Sequence, residues 1–263
     1  NMIVFSDLDR SIIYSKRFLK DDTTKLEIEI YNGENISYIS KETVELIKKI
    51  KKNCYFIPTT TRTIEQFKRI SFSKYGLDFK YAVTSNGGNI LVNGEVDKGY
   101  KLLIKEKLKL SSHIKDIIKL LENYKSIKGI KKIRKAEELF LYIVIDRDTF
   151  DFKLLQPFID EIKKLNWDTY INGTKIYFLP AELKKSTTVK YLCNKLQHKD
   201  TYAIGDSIMD KDMLDVCKNS YVLKHGELSN LIDNNCDNLS ISTRQSFNGT
   251  EEILNKIILC QTK

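Results

Sequence analysis

Two carboxylates spaced by one residue, Asp7 and Asp9, close a short apolar run that starts at Ile3. Such a run reads as a buried strand, and chemistry in an open α/β sheet sits beyond the carboxyl ends of the strands. Acids this close cannot both ionise cheaply unless a cation shares them. The pattern therefore points to a divalent metal, to an acid/base division of labour, or to both, with a plain Asp turn as the alternative. A second acidic site is Gly205-Asp206-Ser207-Ile208-Met209-Asp210. Glycine permits a sharp turn at a strand end, and Asp210 follows Asp206 by one helical turn on the same face. Capping the next helix is the other job open to Asp206. Acids delivered to one edge by two strands, with no His or Cys among them, suit Mg²⁺ rather than zinc. The candidate metal ligands are Asp7, Asp9, Asp206 and Asp210.

Thr60 ends another predicted strand at that edge, where its hydroxyl and N–H suit a phosphoryl oxygen or, equally, cap a helix beginning near Ile64. Lys185 opens a helix, a position where the macrodipole disfavours positive charge. In a chain rich in lysine it also reads as a solvated surface residue, and its neighbour Lys184 leaves the register open. Asn86 and Arg62 are candidate substrate contacts, with turn roles as the alternative.

These residues need a scaffold, and hydrophobic periodicity supplies one. Leu26, Ile28 and Ile30, then Ile36 and Tyr38, alternate around Asn32-Gly33 and predict a hairpin over 25–40. Ser40 caps a helix with Val44, Leu46, Ile47 and Ile50 on its apolar side. Cys54–Pro58 and Tyr81–Thr84 read as buried strands, giving a βαβαβ rhythm and a parallel sheet. The middle of the chain differs. Helical stripes at Ile114, Ile117, Ile118, Leu121 and at Leu155, Phe158, Ile159, Ile162 flank strands at Leu139–Ile145, Trp167–Tyr170 and Lys175–Leu179. An α+β insert over residues 97–179 is expected, between core segments 1–96 and 180–263. The parallel rhythm resumes with a helix through Val189 and Leu196, strands at Thr201–Ile204 and Tyr221–Leu223, and a last helix through Ile253 and Ile258.

Composition narrows the class. At 263 residues and 41% hydrophobic, the chain can build one large domain with an insert. The apolar run Leu139–Ile145 falls far short of the ~20 residues that span a bilayer. Asp7 and Asp9 interrupt the N-terminal apolar stretch, so no secretory signal is expected. Five scattered cysteines without a C-x-x-C pair, and three His, argue against zinc and fit a reducing cytoplasm. Buried, reduced thiols are expected at Cys54 and Cys193. The net charge of +9 invites phosphorylated or nucleic-acid partners, but the lysines alternate with acids along amphipathic helices, so no nucleic-acid or membrane partner is expected. Oligomeric state is not legible.

Taken together, these motifs resemble those of the haloacid dehalogenase-like hydrolases. Asp7-Leu8-Asp9, Thr60 in Thr60-Thr61-Arg62, Lys185, and Gly205-Asp206 through Asp210 stand in the order of that family's four motifs. Asn86-Gly87 and Asn248-Gly249 are similar to the Cof-type and sucrose-phosphate-phosphatase-like branch, subfamily IIB. The resemblance implies an α/β fold, a Rossmann-like core with a C2-type cap that excludes water and reads the leaving group. It implies a Mg²⁺-dependent phosphatase acting on a small phosphoester, such as a sugar or polyol phosphate, through an aspartyl-phosphate. Asp7 would be the nucleophile and Asp9 the acid/base. Thr60 and Lys185 would hold the phosphoryl group, and Asp210 would orient Lys185 or a metal-bound water. Mg²⁺ would sit on Asp7, Asp206 and the Asp9 carbonyl. Two positions depart from the pattern: Arg10-Ser11 replaces a usual Gly-Thr, and Met209 replaces a frequent Asn. Rival readings are a phosphomutase or phosphotransferase on the same scaffold, a non-catalytic phosphoester-binding module, and a nucleic-acid binder.

Overall fold

A computed structural model describes residues 2–19, 23–232 and 238–263. It divides into two compact units, Asn1–Asp97 with Lys185–Lys263, and Lys98–Lys184.

The first unit begins with β1 (Met2–Ser6), buried along its whole length. The hairpin follows as β2 (Lys25–Tyr31) and β3 (Glu34–Ser40), then α1 (Lys41–Lys51), β4 (Tyr55–Pro58) and a short α2 (Ile64–Lys68). Next come β5 (Tyr81–Thr84), β6 (Asn89–Val92) and β7 (Glu95–Val96). The Ser40 hydroxyl accepts from the Thr43 N–H and starts α1, whose Val44, Leu46, Ile47 and Ile50 are all buried. The expected strand Tyr81–Thr84 exists, but it pairs in a separate antiparallel sheet, β5-β6-β7. A parallel bridge from Thr59 to Val83 ties it to the end of β4.

The second unit holds α3 (Lys98–Leu108), α4 (Ile114–Leu121), β8 (Ile130–Ala136), β9 (Phe140–Ile145), α5 (Gln156–Lys163), β10 (Trp167–Asn172) and β11 (Lys175–Pro180). Its antiparallel sheet runs β10-β11-β9-β8. Ile117, Leu121, Phe158 and Ile162 from the helices share a core with Leu141, Ile143, Ile176 and Phe178 from the strands. Helices α3 and strand β8 have no counterpart in the sequence reading. Lysine and arginine occupy much of β8, which runs along the sheet edge where charge discourages further pairing.

The chain then returns to the first unit with α6 (Lys185–Leu196), β12 (Asp200–Gly205), α7 (Lys211–Val216), β13 (Asn219–Val222), β14 (Leu239–Ile241) and α8 (Ser246–Gln261). The main sheet is parallel, in the order β14-β13-β12-β1-β4. Met2 and Val4 of β1 join a core with Val44 and Ile47 of α1 and Ile253, Leu254 and Ile257 of α8. Ile3 and Phe5, on the alternate face, are also fully buried. A strand covered on both faces needs a continuous apolar run, and this explains the composition before Asp7. Each fully buried Val, Leu or Ile side chain contributes about 1.5–3 kcal/mol of transfer free energy. That stabilisation lets the ends of β1, β4 and β12 carry polar side chains into a shared pocket.

Three local expectations differ from the structure. Apolar alternation assigned Ile30 to the inside of the hairpin, yet Ile30 is 59% exposed while Glu29 is 1% exposed. Register shifts between Glu27 and Glu29 and again before Ile30 break the alternation, and the bulge turns Glu29 inward. Cys54 and Cys193 are half-buried rather than fully buried. Cys54, Cys193, Cys217 and Cys260 are all free thiols, and Cys236 lies outside the described residues. Asn248-Gly249 falls inside the first turns of α8 rather than before it.

Candidate active site

β1 and β12 are adjacent and parallel, with Ser6 opposite Ile204. Asp7 and Asp206 therefore emerge side by side. The Asp7 N–H donates to the Ile204 carbonyl at 2.9 Å, which fixes the first of these positions. Asp7, Asp206 and Asp210 each present a carboxylate oxygen within 4.8 Å of the others, and all three residues are buried. Gly205 matters here for space rather than for a left-handed turn. A Cβ at that position would lie 2.6 Å from the Asp210 Cβ. Gly226 has a similar role, since its Cβ would meet the Asp206 carbonyl oxygen at 2.2 Å.

The pocket has its own cation. Lys185, 1% exposed, donates to Asp210 Oδ1 at 2.6 Å and to Asp7 Oδ1 at 3.1 Å. This settles the register in favour of Lys185 over Lys184. Burial alone would lower the ammonium's pKa, but the Asp210 and Asp7 charges reverse this and hold it above the ordinary lysine value. The unfavourable place of a lysine at the start of α6 is offset by these carboxylates and by Asp212, whose Oδ2 accepts from the Ser186 N–H at 2.7 Å.

Asp210 Oδ2 accepts from the N–H groups of Asp206 and Ser207, at 3.0 and 3.1 Å. With Lys185 on its other oxygen, Asp210 has little lone-pair capacity left. It organises the turn and the lysine more than it presents a free ligand. Asp7 Oδ2 accepts from the Ser11 hydroxyl at 3.2 Å, so the Ser11 variant of the family motif keeps a hydroxyl beside Asp7. Burial raises the Asp7 carboxyl to about 6, helped by the Asp210 charge and opposed by Lys185. Asp206 is pushed well above the usual carboxylate range by burial and by the Asp7 and Asp210 charges.

Crowded acids of this kind call for a cation. Among the described residues, Asp206 Oδ2 is buried and accepts no hydrogen bond, its neighbour being the Arg10 guanidinium with Nε at 3.3 Å. That oxygen, in an all-carboxylate donor set with no His or Cys, fits a hard divalent ion such as Mg²⁺.

Asp9 behaves differently from Asp7. Its carboxylate is not part of the buried group but is half-exposed, held by Arg62 through Nε to Oδ2 at 2.8 Å and Nη2 to Oδ1 at 2.9 Å. On its other edge Arg62 donates to both oxygens of Glu29, at 2.7 and 2.9 Å, and to the Gln66 carbonyl at 3.1 Å. Five contacts occupy the five N–H donors of a guanidinium. Arg62, expected as a substrate contact, has no donor left to offer a ligand in this state. Glu29 also accepts from Arg69 at 2.7 Å and from Ser37 at 2.6 Å. Sequence reasoning missed Glu29 because it sits in an alternating strand where acids read as outward-facing. The signal that could have found it is the count of arginines, Arg62 and Arg69, that the hairpin must meet.

Thr60 lies just past β4, 1% exposed. Its N–H donates to the Val83 carbonyl at 2.9 Å, and its hydroxyl accepts from the Arg62 N–H at 3.1 Å. Helix α2 is capped instead by Thr63, which forms a reciprocal capping box with Gln66. Asn86 is buried in a tight turn with φ of 55°, and its Oδ1 accepts from the Thr61 hydroxyl at 3.1 Å. This contact and the backbone conformation are those of a turn residue. Met209 is buried in the turn Ile208–Asp210 and packs as an apolar residue.

A buried acidic group at the carboxyl ends of a parallel sheet, with a buried lysine beside it, is the arrangement that the four motifs suggested. The chain belongs to the haloacid dehalogenase-like hydrolases, whose family model matches residues 30–177 and 126–249. No curated protein compared with it matches. Among solved structures, the fold is similar to that of sucrose-phosphatase from Synechocystis, solved with sucrose and phosphate. The TM-score is 0.70 at 15% identity, covering 99% of this chain and 98% of that one. A sugar phosphatase of subclass IIB matches with TM-score 0.64 at 11% identity, over 100% of both chains. A trehalose-6-phosphate phosphatase from Aspergillus fumigatus matches with TM-score 0.52 at 10% identity, over 97% and 93%. The fold is therefore the α/β core with an additional antiparallel unit that the motifs implied. No helix among the described residues is long and apolar enough to cross a membrane.

Proposed function

We propose that the protein is a Mg²⁺-dependent phosphatase that hydrolyses a small phosphomonoester, a sugar or polyol phosphate. The observation that carries this reading is the buried Asp7–Asp206–Asp210 group, with Lys185 paired to Asp7 and Asp210. Asp7 is the nucleophile. Its Oδ1 is held by Lys185 and its Oδ2 by Ser11, so the carboxylate is fixed in place before substrate arrives. A bound divalent ion would neutralise the crowded carboxylates and the incoming phosphoryl group. Asp7 and Asp206, with the Asp9 backbone carbonyl, would hold it, and Asp210 supports them from behind.

Attack by Asp7 on phosphorus gives an aspartyl-phosphate as the P–O bond to the sugar breaks. Lys185 and Thr60 balance the charge of the phosphoryl oxygens. Asp9 gives a proton to the leaving oxygen and then takes one from the water that hydrolyses the acyl phosphate. Asp9 suits this exchange because it is half-exposed and lies outside the buried group. Selection of the leaving group is assigned to the unit Lys98–Lys184. The sugar-phosphatase reading draws further support from what the structures of similar fold are named for.

The test is phosphate release from a panel of hexose and disaccharide phosphates, polyol phosphates and nucleotides, with Mg²⁺ and with EDTA. Release confined to sugar or polyol esters and abolished by EDTA is expected. Isomerised product without free phosphate would replace hydrolysis by phosphoryl transfer.

A further inference from the structure

The residue after the second aspartate is Arg10, in the left-handed region at φ 61°. A side-chain-bearing residue adopts that conformation at some cost, and glycine would adopt it freely. Arg10's backbone is anchored on both sides. Its N–H donates to the Ile13 carbonyl at 2.8 Å. Its own carbonyl lies 2.7 Å from His225 Nε2. The Ser246 N–H donates to His225 Nδ1 at 3.0 Å, so the proton of that ring sits on Nε2 and is donated to Arg10.

The fold thereby sets where the Arg10 side chain goes. Its Nε lies 3.3 Å from Asp206 Oδ2, the buried oxygen that accepts no hydrogen bond. The guanidinium also lies near the Phe18 ring, 5.9 Å from its centroid. Lys185 is engaged by Asp7 and Asp210, and among the described residues Arg10 is the side-chain cation paired with Asp206. Arg10 is 28% exposed, which leaves it room to withdraw toward water.

We propose that Arg10 is a built-in competitor for the divalent cation at Asp206. The inference rests on reading the Asp7–Asp206 pocket as the metal site. A guanidinium beside one ligand oxygen repels an arriving dication, and it must yield its place before that oxygen can coordinate. The wild-type site therefore fills only at a higher cation concentration than the same pocket with a neutral residue at position 10. Removing one positive charge within a few ångströms of the ion tightens binding by at least roughly tenfold, even at a dielectric close to that of bulk water.

Binding is measured on the full chain near neutral pH, by the loss of the free Mn²⁺ electron paramagnetic resonance signal. Wild type is compared with Arg10→Gln, Arg10→Gly and Asp206→Asn. Both Arg10 variants are expected to bind Mn²⁺ at least roughly tenfold more tightly, and agreement between Gln and Gly assigns the effect to charge rather than to backbone strain. Binding by Arg10→Gln equal to or weaker than wild type overturns the proposal while leaving the metal site intact. Mn²⁺ binding that survives unchanged in Asp206→Asn, or that no form shows, removes the metal-site reading and the proposal with it.

Discussion

The two aspartates of the first motif are separated by one residue, yet they belong to two different electrostatic regions. Asp7 lies in a buried pocket with Asp206 and Asp210, and its cation is Lys185. Asp9 lies in a clamp at the surface with Glu29 and Arg69, and its cation is Arg62. The spacing of Asp7 and Asp9 left open a shared cation, an acid/base division of labour, or both. The structure relieves each with its own, and the different surroundings suit different roles. An enclosed carboxylate with fixed neighbours suits attack, and a solvent-facing carboxylate suits proton exchange once Arg62 releases one of its oxygens.

The sharpest break in that comparison is Asp7→Asn. It removes the nucleophile while relieving crowding among buried acids, so turnover should fall by at least roughly a thousandfold. The melting temperature should hold or rise. A variant with near-normal turnover would reassign the nucleophile. Lys185→Met acts on the same pocket in the opposite sense, leaving Asp210 and Asp7 without a counter-ion. Breaking a buried pair from one side costs about 3 kcal/mol, to be read from urea unfolding of the metal-free protein. Unchanged stability would mean the carboxylates simply take up protons.

Glu29→Gln addresses the clamp and should cost less, about 2 kcal/mol, because the amide keeps an acceptor for the arginines and Arg69 is 29% exposed. It also carries a pH signature. Burial pushes the Glu29 carboxyl up, but the hydrogen bonds and charge of Arg62, with Ser37 and Arg69, overcompensate and hold it at about 2 against an ordinary 4.5. With the folded value below the unfolded one, this contribution is complete above pH 4.5 and is lost as pH falls toward 2. The variant should flatten stability against pH across that window, and an unchanged slope would contradict the assignment. Arg62→Lys should have the smallest effect. A lysine keeps the charge but not the two-edged grip. A roughly tenfold lower kcat with little change in KM is expected for a residue that positions Asp9. A raised KM with kcat intact would restore Arg62 as a substrate contact.

Much of the pocket was legible because its parts follow from simple local rules. Apolar runs ending in Asp7 and at Gly205 fix strand ends, and adjacent parallel strands bring those ends together. Lys185 stood out as a lysine at the wrong end of a helix, though only the fold separated it from Lys184. The clamp was far less legible. Its inner anchor, Glu29, faces inward through a bulge, and alternation cannot register an irregularity of that kind. Arg62 was noticed for its charge, but a guanidinium reveals nothing in sequence about which acceptors it will exhaust. In the unit Lys98–Lys184, α4, α5 and three strands followed their apolar stripes, while β8 was hidden by its lysines. An edge strand is under pressure to look unlike a strand.

The most direct test of the account is to find where the phosphoryl group goes. The protein is mixed with Mg²⁺ and its best phosphoester from the panel, quenched in acid within one turnover, reduced with borohydride and digested for mass spectrometry. An acyl phosphate on the buried carboxylate should appear as homoserine at position 7. Steady phosphate release with Asp7 recovered unmodified, or homoserine at another aspartate, would contradict it.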